Sequence, residues 1–118
     1  MPTHTTPVPG QPVRGSTTGR PLMAALDLLG RRWSLRILWE LRDGPVGARA
    51  LLSRCEGLSS SVLYDRLREL IDAGLIRRTR TEAYELTAIG HSLGAALDPL
   101  DAWATQWARS RGRARPRI

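Results

Sequence analysis

Apolar residues recur at helical spacing through most of residues 21–108, and glycine and proline divide this pattern into short segments. Residues 22–29 are predicted to form a first helix that ends at Gly30. Ser34 is the predicted N-cap of a second helix, which stops before Asp43. A third short helix is predicted over residues 48–54. The pattern therefore predicts a mainly α domain built from short helices.

The fourth helical segment, residues 59–73, has two distinct faces. Ser59 is a suitable N-cap, and Leu63, Leu67, Leu70 and Ile71 recur on one predicted inner face. The opposite side is polar. It carries Ser61, Asp65, Arg68 and Asp72, with Ser60 and Tyr64 on the flank of the first two turns.

A small β-hairpin is predicted next, with strands over residues 75–79 and 83–86 and with Arg77, Arg78 and Arg80 along its edge. A last helical segment follows Thr87, a suitable cap. Asp98 followed by Pro99 suits an N-cap and a first helical position, so we expect a kink or a new helix start there.

Charge is distributed unevenly along the 118 residues. The chain has 18 basic residues, all of them arginine, against 11 acidic ones, which gives a net charge of +7. The excess lies at the two ends, whereas residues 21–108 are formally neutral. We predict one domain over residues 21–108, a disordered arm over residues 1–20, and a flexible basic tail over residues 109–118. The tail either touches phosphate or serves solubility alone.

Residues that could support catalysis or bind metal are scarce. Cys55 is the single cysteine, and His4 and His91 are far apart in the sequence, so neither a disulfide framework nor a metal site is predicted. The sequence contains no nucleophile with an adjacent base and no glycine-rich phosphate loop, so we expect no enzyme and no cofactor. The chain also lacks a signal sequence and a membrane-length apolar stretch, so we expect a cytoplasmic protein.

The order of these elements is that of a winged helix-turn-helix domain. In that fold one helix enters a DNA major groove about 12 Å wide and the preceding helix braces it. Arginine, serine, tyrosine and aspartate can all contact bases or phosphates, although a solvated surface would have the same composition. The candidate DNA-binding residues are Ser59, Ser60, Ser61, Tyr64, Asp65 and Arg68 on the fourth helix, Arg77, Arg78 and Arg80 on the hairpin, and Arg31 and Arg32 before the second helix.

Residues 20–108 resemble the HxlR-type winged helix-turn-helix transcriptional regulators of the MarR-like superfamily. Several segments in the same order carry this resemblance. They are Pro21-Leu22, Ala25-Leu26-Asp27-Leu28-Leu29-Gly30, Arg32-Trp33-Ser34-Leu35, Ile37-Leu38, Asp43-Gly44-Pro45, Gly57-Leu58-Ser59, Arg66-Leu67-Arg68-Glu69-Leu70, Ala73-Gly74-Leu75-Ile76 and Tyr84-Glu85-Leu86-Thr87.

The resemblance implies a homodimer that binds a pseudo-palindromic operator, with the first and last helices as dimerisation helices. Trp103 and Trp107 lie one helical turn apart, and they would either bury against a second chain or pack on their own first two helices. The candidate dimer-interface residues are Leu22, Leu26, Leu97, Leu100, Trp103 and Trp107. We expect a repressor, with an unidentified small-molecule effector as a further partner.

Two positions depart from the family pattern. Some relatives sense oxidants through a cysteine before the proline that matches Pro21, and here that residue is Arg20. Cys55 is expected to be a buried small hydrophobe instead of a reactive thiolate. The loop at residues 80–83 is also short, which disfavours deep insertion of the hairpin tip into DNA.

A second hypothesis keeps the same fold without specific DNA binding. Because fold does not fix function, the domain could serve as a protein-protein interaction module. The lack of net charge over residues 21–108 and the presence of Asp65 on the polar side of the fourth helix are compatible with that alternative. It predicts that Arg68 and the hairpin arginines are dispensable.

Overall fold

The computed structural model describes residues 6–14, 16–17 and 19–114. In chain order the elements are α1 (Pro21–Leu29), α2 (Ser34–Glu40), β1 (Val46–Gly47), α3 (Ala48–Arg54), α4 (Ser60–Asp72), β2 (Ile76–Arg78), β3 (Ala83–Leu86) and α5 (Ala88–Ala114). This order, with a hairpin directly after α4, confirms the predicted winged helix-turn-helix class. In the described chain the hairpin belongs to a three-stranded antiparallel sheet in the order β1-β3-β2.

The third strand, β1, was not predicted. It has two residues, and Val46 pairs with Tyr84 of β3 while β3 also pairs with β2 through Leu86 and Ile76. A two-residue strand has no detectable periodicity, and Asp43-Gly44-Pro45 before it predicted only the end of the second helix. The strand ties the end of α2 to the hairpin.

The core joins α2 to α4. Ile37 and Leu41 at α2 and Leu63, Leu67 and Leu70 of α4 are all buried. The prediction that Ile71 shares this inner face is wrong, since Ile71 is 40% exposed. A helix turns by about 100° per residue, and the step beyond Leu70 carries the next side chain off the buried face.

Ser34 is not the N-cap of α2, so this part of the sequence-based prediction is wrong. Trp33 holds the cap position with a left-handed φ of 77°, and Ser34 is the buried first residue of the helix. The Ser34 amide donates to the Arg31 carbonyl at 3.1 Å. This tight turn moves the helix start so that the serine hydroxyl is buried, where it has no hydrogen-bond partner in the described chain.

Helix α5 continues through Pro99, so the predicted restart at Asp98 is wrong. Proline removes the amide that would bond to the carbonyl of residue 95, and residues 95 and 96 are exposed, so water can bond to that carbonyl instead. The helix ends at Ala114. The predicted tail boundary at residue 109 therefore falls inside a helix, and residues 115–118 lie outside the described part.

The described residues of the predicted N-terminal arm make several contacts. The Gly10 amide donates to the Gly19 carbonyl at 2.9 Å, and Val13 and Ser16 form an isolated antiparallel bridge. Pro7 is buried, and the Thr6 hydroxyl lies 3.2 Å from an Asp72 carboxylate oxygen. Pro7, Val8 and Pro9 line an apolar pocket together with residues of α1 and α5. Residues 1–5, 15 and 18 lie outside the described part.

The described residues provide neither a membrane-spanning helix nor a metal site. None of their helices is both long and apolar enough to cross a membrane. Their His, Cys, Asp and Glu side chains form no group of three or more that could hold a metal ion. His91 is exposed on α5, and His4 lies outside the described residues.

Candidate nucleic-acid interface

Helices α3 and α4 form the helix-turn-helix unit. The turn between them uses Gly57 at a φ of 92°, and the Leu58 amide donates to the Cys55 carbonyl at 3.0 Å. Ser59 then caps α4, because its hydroxyl oxygen accepts from the Val62 amide at 3.2 Å. The predicted N-cap is confirmed, and it fixes the direction in which α4 leaves the turn.

From its N-cap Ser59 to Arg68, helix α4 presents polar side chains to solvent. Leu63 and Leu67 anchor the opposite side in the core. The predicted reading residues that are exposed here are Ser59, Ser60, Ser61, Tyr64, Asp65 and Arg68. The structure therefore brings together all six residues that were predicted on this helix.

Asp65 and Arg68 form an ion pair on that exposed face. An Arg68 guanidinium nitrogen lies 2.8 Å from an Asp65 carboxylate oxygen, and both side chains are more than half exposed. A pair this exposed contributes little to stability. Its effect is electrostatic: the carboxylate cancels the charge that Arg68 would otherwise present to a phosphate, while other guanidinium donors stay available.

The hairpin arginines do not all present free charge. Arg77 pairs with Glu85 at 2.7 Å across the strands, and Arg78 pairs with Glu82. Arg80 is exposed at the hairpin tip and forms no ion pair with any residue in the described part of the chain. Of the three predicted hairpin contacts, Arg80 therefore carries the uncompensated cation.

The two arginines before α2 have different environments. Arg32 is exposed, with its guanidinium carbon 5.8 Å from the centre of the Trp33 ring. Arg31 is largely buried and donates to Glu69 at 2.8 Å. This pairing matches the charge of Arg31 inside the protein and disfavours the predicted phosphate contact.

Glu69 is the centre of a network that sequence reasoning missed. One carboxylate oxygen accepts from Arg31 and the other accepts from Arg66 at 2.6 Å. Arg66 also donates to the Arg32 carbonyl at 2.9 Å. The network joins α4 to the α1–α2 loop and so sets the orientation of the reading face. The signal in the sequence was a glutamate between Leu67 and Leu70, on the buried side of an amphipathic helix.

Arg49 is a second residue that the sequence reasoning missed. It lies in the first turn of α3, it is exposed, and none of the described acidic side chains pairs with it. In a helix-turn-helix unit the helix before the reading helix crosses the DNA backbone. The available signal in the sequence was the position of Arg49 at the start of the third predicted helix, shortly after the Asp43-Gly44-Pro45 break.

Cys55 is fully buried at the end of α3. Burial raises the pKa of the Cys55 thiol, an effect that Glu40 reinforces and that Arg36 and Arg54 oppose. A thiol whose pKa is raised is a poor nucleophile at neutral pH. The expected buried hydrophobe is what the structure contains.

Most of the residues predicted at a dimer interface form an exposed apolar surface. Leu22 and Leu26 on α1 and Leu100 on α5 are about half exposed. Trp103 and Trp107 are 53% and 55% exposed, and their rings stack with centroids 5.5 Å apart. Leu97 differs, since it is partly buried and lines a small cleft with Leu38 and Trp39 of α2.

Comparison with known proteins agrees with this geometry. The family model described as HxlR-like helix-turn-helix matches residues 28–111. The chain is 33% identical over 90 residues to the HTH-type transcriptional regulator YvaP of Bacillus subtilis, covering 70% of this chain and 82% of that protein.

Two solved structures share the fold. The quinone-bound crystal structure of YodB from B. subtilis matches with a TM-score of 0.68 and 33% identity, over 72% of this chain and 94% of YodB. A transcriptional regulator of the MarR family from Enterococcus faecalis matches with a TM-score of 0.69 and 32% identity, over 78% of this chain and 89% of that one. The chain therefore belongs to the HxlR family of winged helix-turn-helix transcriptional regulators.

Proposed function

We propose that this regulator binds a pseudo-palindromic operator as a homodimer and represses transcription, with α4 in the major groove. The observation that carries the proposal is the set of six exposed polar side chains between the N-cap Ser59 and Arg68, on a helix anchored by Leu63 and Leu67. Side chains in the first turns of such a helix can reach base edges. In this proposal Arg68 reads guanine, and Ser60, Ser61 and Tyr64 contact bases or phosphates.

Phosphate contacts come from three exposed arginines near the helix-turn-helix unit and the hairpin that have no carboxylate partner among the described residues. These are Arg80 at the hairpin tip, Arg32 before α2 and Arg49 on α3. Such contacts position a protein on DNA without reading its sequence. Arg77 and Arg78 contact phosphates of the same DNA strand after they exchange Glu85 and Glu82 for phosphate.

The homodimer is supported by the exposed apolar side chains of α1 and α5. Trp103 and Trp107 stack on one side of α5 and are about half exposed, and large exposed aromatic side chains of this kind are typical of an interaction site. A two-fold dimer would present two copies of α4 about one turn of DNA apart, roughly 34 Å.

The proposed effector is a small molecule that acts without forming a bond to a thiol. YodB has been crystallised with a quinone. In the present chain the position before Pro21 holds Arg20, and Cys55 is buried with a raised pKa.

DNA binding can be tested by fluorescence anisotropy with a labelled fragment from upstream of the protein's own gene. The full chain is titrated at two salt concentrations, with and without excess unrelated DNA. We expect the complex to survive competitor, Arg68→Ala to change the preferred sequence, and Arg80→Ala to weaken binding to all DNA. Arg42→Ala is the matched control, because Arg42 lies over Trp39 at the end of α2.

The alternative function predicts a different result. Suppose that competitor abolishes binding and that neither Arg68→Ala nor Arg80→Ala differs from Arg42→Ala. The exposed polar face of α4 then makes no specific contact with that DNA fragment. The same result on a library of random sequences would leave the protein-protein interaction module as the better description.

A further inference from the structure

The guanidinium of Arg68 is drawn toward the start of α4. Its Nη2 nitrogen lies 2.8 Å from an Asp65 carboxylate oxygen, and Asp65 is three residues nearer the N-cap Ser59. At 1.5 Å per residue that offset is about 4.5 Å along the helix. The first turns of a reading helix are the ones whose side chains reach base edges in the major groove. The ion pair therefore holds the charge of Arg68 at the end of α4 that can reach bases.

The ion pair leaves Arg68 able to bind guanine. A guanidinium has two edges that each present two parallel N–H groups, and Nη2 belongs to both edges. Asp65 takes one Nη2 hydrogen, and no other hydrogen bond joins this guanidinium to a described residue. Whichever Nη2 hydrogen the carboxylate takes, the other edge stays free for the O6 and N7 acceptors of a guanine.

Asp65 can accept only from particular bases. It is the one acidic residue in the sequence from Ser59 to Arg68. Its second carboxylate oxygen accepts no hydrogen bond from the described residues, and its side chain is 57% exposed. A carboxylate is repelled by phosphates and by the oxygens of guanine and thymine. The donors that the major groove offers it are the exocyclic amines, N4 of cytosine and N6 of adenine.

The pair is held by a rigid element. Asp65 and Arg68 both lie on α4, where Leu63 and Leu67 fix the backbone in the core. The hairpin pair differs, because the carboxylate of Glu82 lies in the loop between β2 and β3. Contacts to base edges need side chains whose relative position is fixed, and a helix provides this better than a loop.

The spacing of the pair matches two base pairs. The offset of about 4.5 Å along α4 exceeds the separation of stacked base pairs, which is about 3.4 Å. Each base pair presents one exocyclic amine in the major groove, so a carboxylate discriminates by strand. It accepts adenine or cytosine on the strand that it faces and rejects guanine or thymine there.

We propose that the Asp65–Arg68 pair reads two adjoining base pairs of each operator half-site as one unit. Arg68 contacts a guanine, and Asp65 contacts the exocyclic amine of an adenine or cytosine in the next base pair. This inference rests on the proposed function and specifies part of the sequence that the operator contains. Asp65 has two roles, since it positions the guanidinium of Arg68 and also contacts a base itself.

Base preferences of the full chain test the proposal. The wild-type protein selects its operator from random duplexes, and its affinity is then measured with each of the four bases at every position. We expect a preference of about tenfold for guanine at one position. At the adjoining position we expect cytosine to be preferred over thymine, and adenine over guanine, by about tenfold. Replacing the preferred guanine with 7-deazaguanine, which lacks the N7 acceptor, should weaken binding by a similar factor.

Two variants should lose different preferences. Arg68→Ala should abolish the guanine preference and keep the preference for cytosine over thymine, because Asp65 remains. Asp65→Asn should keep the guanine preference, because its amide oxygen still accepts from Arg68. It should reduce the preference for cytosine over thymine to less than about twofold, because an amide both donates and accepts.

Asp43→Asn is the matched control. Asp43 belongs to another exposed aspartate–arginine pair, with an Arg42 nitrogen 3.8 Å from its carboxylate, and it lies after α2 instead of on α4. The variant removes the same charge and should leave both preferences unchanged. Each preference is a ratio of the affinities of one variant for two duplexes, so a partial loss of folded protein cancels from it.

The outcomes separate this inference from the proposed function. If the wild-type protein selects no sequence over random DNA, the proposed function fails and the inference fails with it. If an operator is selected but Asp65→Asn prefers cytosine over thymine as strongly as Asp43→Asn does, Asp65 contacts no base. The inference is then wrong while the proposed function stands. A guanine preference that survives in Arg68→Ala overturns the contact assigned to Arg68.

Discussion

Glu69 is a buried charge whose two partners hold α4 in place. Its carboxylate accepts from Arg31 and Arg66, and the Glu69 side chain is only 10% exposed. Removing one member of such a group leaves the others buried without compensation. The orientation of the reading face thus depends on a residue that is buried away from that face.

Replacing Glu69 tests this dependence. We expect Glu69→Ala to lower the free energy of unfolding by about 3 kcal/mol, because two arginines lose their shared partner. Guanidinium denaturation measures the change. Asp65→Ala, on the exposed face of the same helix, should change stability by less than about 0.5 kcal/mol. Equal effects of the two variants would mean that the network does not hold α4.

Under the proposed function, we expect the Asp65–Arg68 pair to affect DNA binding and to contribute little to stability, because both side chains are exposed. Removing the carboxylate frees the guanidinium charge and removes a group that repels phosphate. We expect Asp65→Ala to tighten binding to unrelated DNA about tenfold and to steepen the dependence of log affinity on log salt by about one ion. Anisotropy titrations at several salt concentrations measure both quantities.

The control for that variant removes one negative charge elsewhere. Asp43 is exposed at the end of α2, so Asp43→Ala changes the net charge equally. If both variants bind DNA alike, net charge explains the effect and the local pair does not.

At the scale of the elements, the start of α5 shows how closely two segments approach. A Cβ atom placed on Gly90 would lie 2.1 Å from the Leu75 carbonyl oxygen. The Thr87 hydroxyl accepts from the Gly90 amide at 3.2 Å, so the predicted cap at Thr87 is confirmed. The glycine lets α5 leave the sheet directly against the segment that precedes β2.

Two glycines of α5 offer a matched comparison. Gly90→Ala should destabilise the protein by about 2 kcal/mol or more, because the clash involves backbone atoms that cannot move aside. A Cβ atom on Gly94 would have open space around it, with no heavy atom beyond its own helix backbone within 4 Å. Gly94→Ala should therefore raise the free energy of unfolding by up to about 1 kcal/mol through helix propensity. Thermal denaturation of both variants checks the opposite signs.

What the sequence could predict at this scale depended on local signals. Ser59, Thr87 and the glycine breaks act within a few residues, and the helices they delimit were found. Strand β1 and the packing of Glu69 depend on partners far away in sequence. The continuity of α5 through Pro99 depends on exposure to solvent, which the local sequence does not reveal. The ion pairs of Arg68, Arg77 and Arg78 are local by contrast, with partners three, eight and four residues away, but the pattern of apolar residues that located the helices and strands carries no information on them.

At the scale of the whole molecule, the exposed second half of α5 extends from a domain whose residues 21–108 have no net charge. The chain measures 54 × 38 × 27 Å, and the 27 residues of α5 account for about 40 Å of helix. Because residues 21–108 have no net charge, an arrangement of individual arginines has to guide DNA binding. A rigid connection through α5 would fix the distance between two reading helices in the proposed dimer.

Operator spacing tests that rigidity. Two extra base pairs between the half-sites rotate one half-site by about 70° and move it by about 7 Å, so only one α4 can dock. We expect the affinity of the wild-type protein to fall at least about 100-fold, since all base contacts of one half-site are lost. The same two base pairs placed outside the half-sites are the control and should leave the affinity unchanged. In Trp107→Ala, where dimerisation is weakened, the penalty for the central insertion should shrink toward zero. An undiminished penalty in that variant would mean that the spacing is fixed by contacts other than the α5 tryptophans.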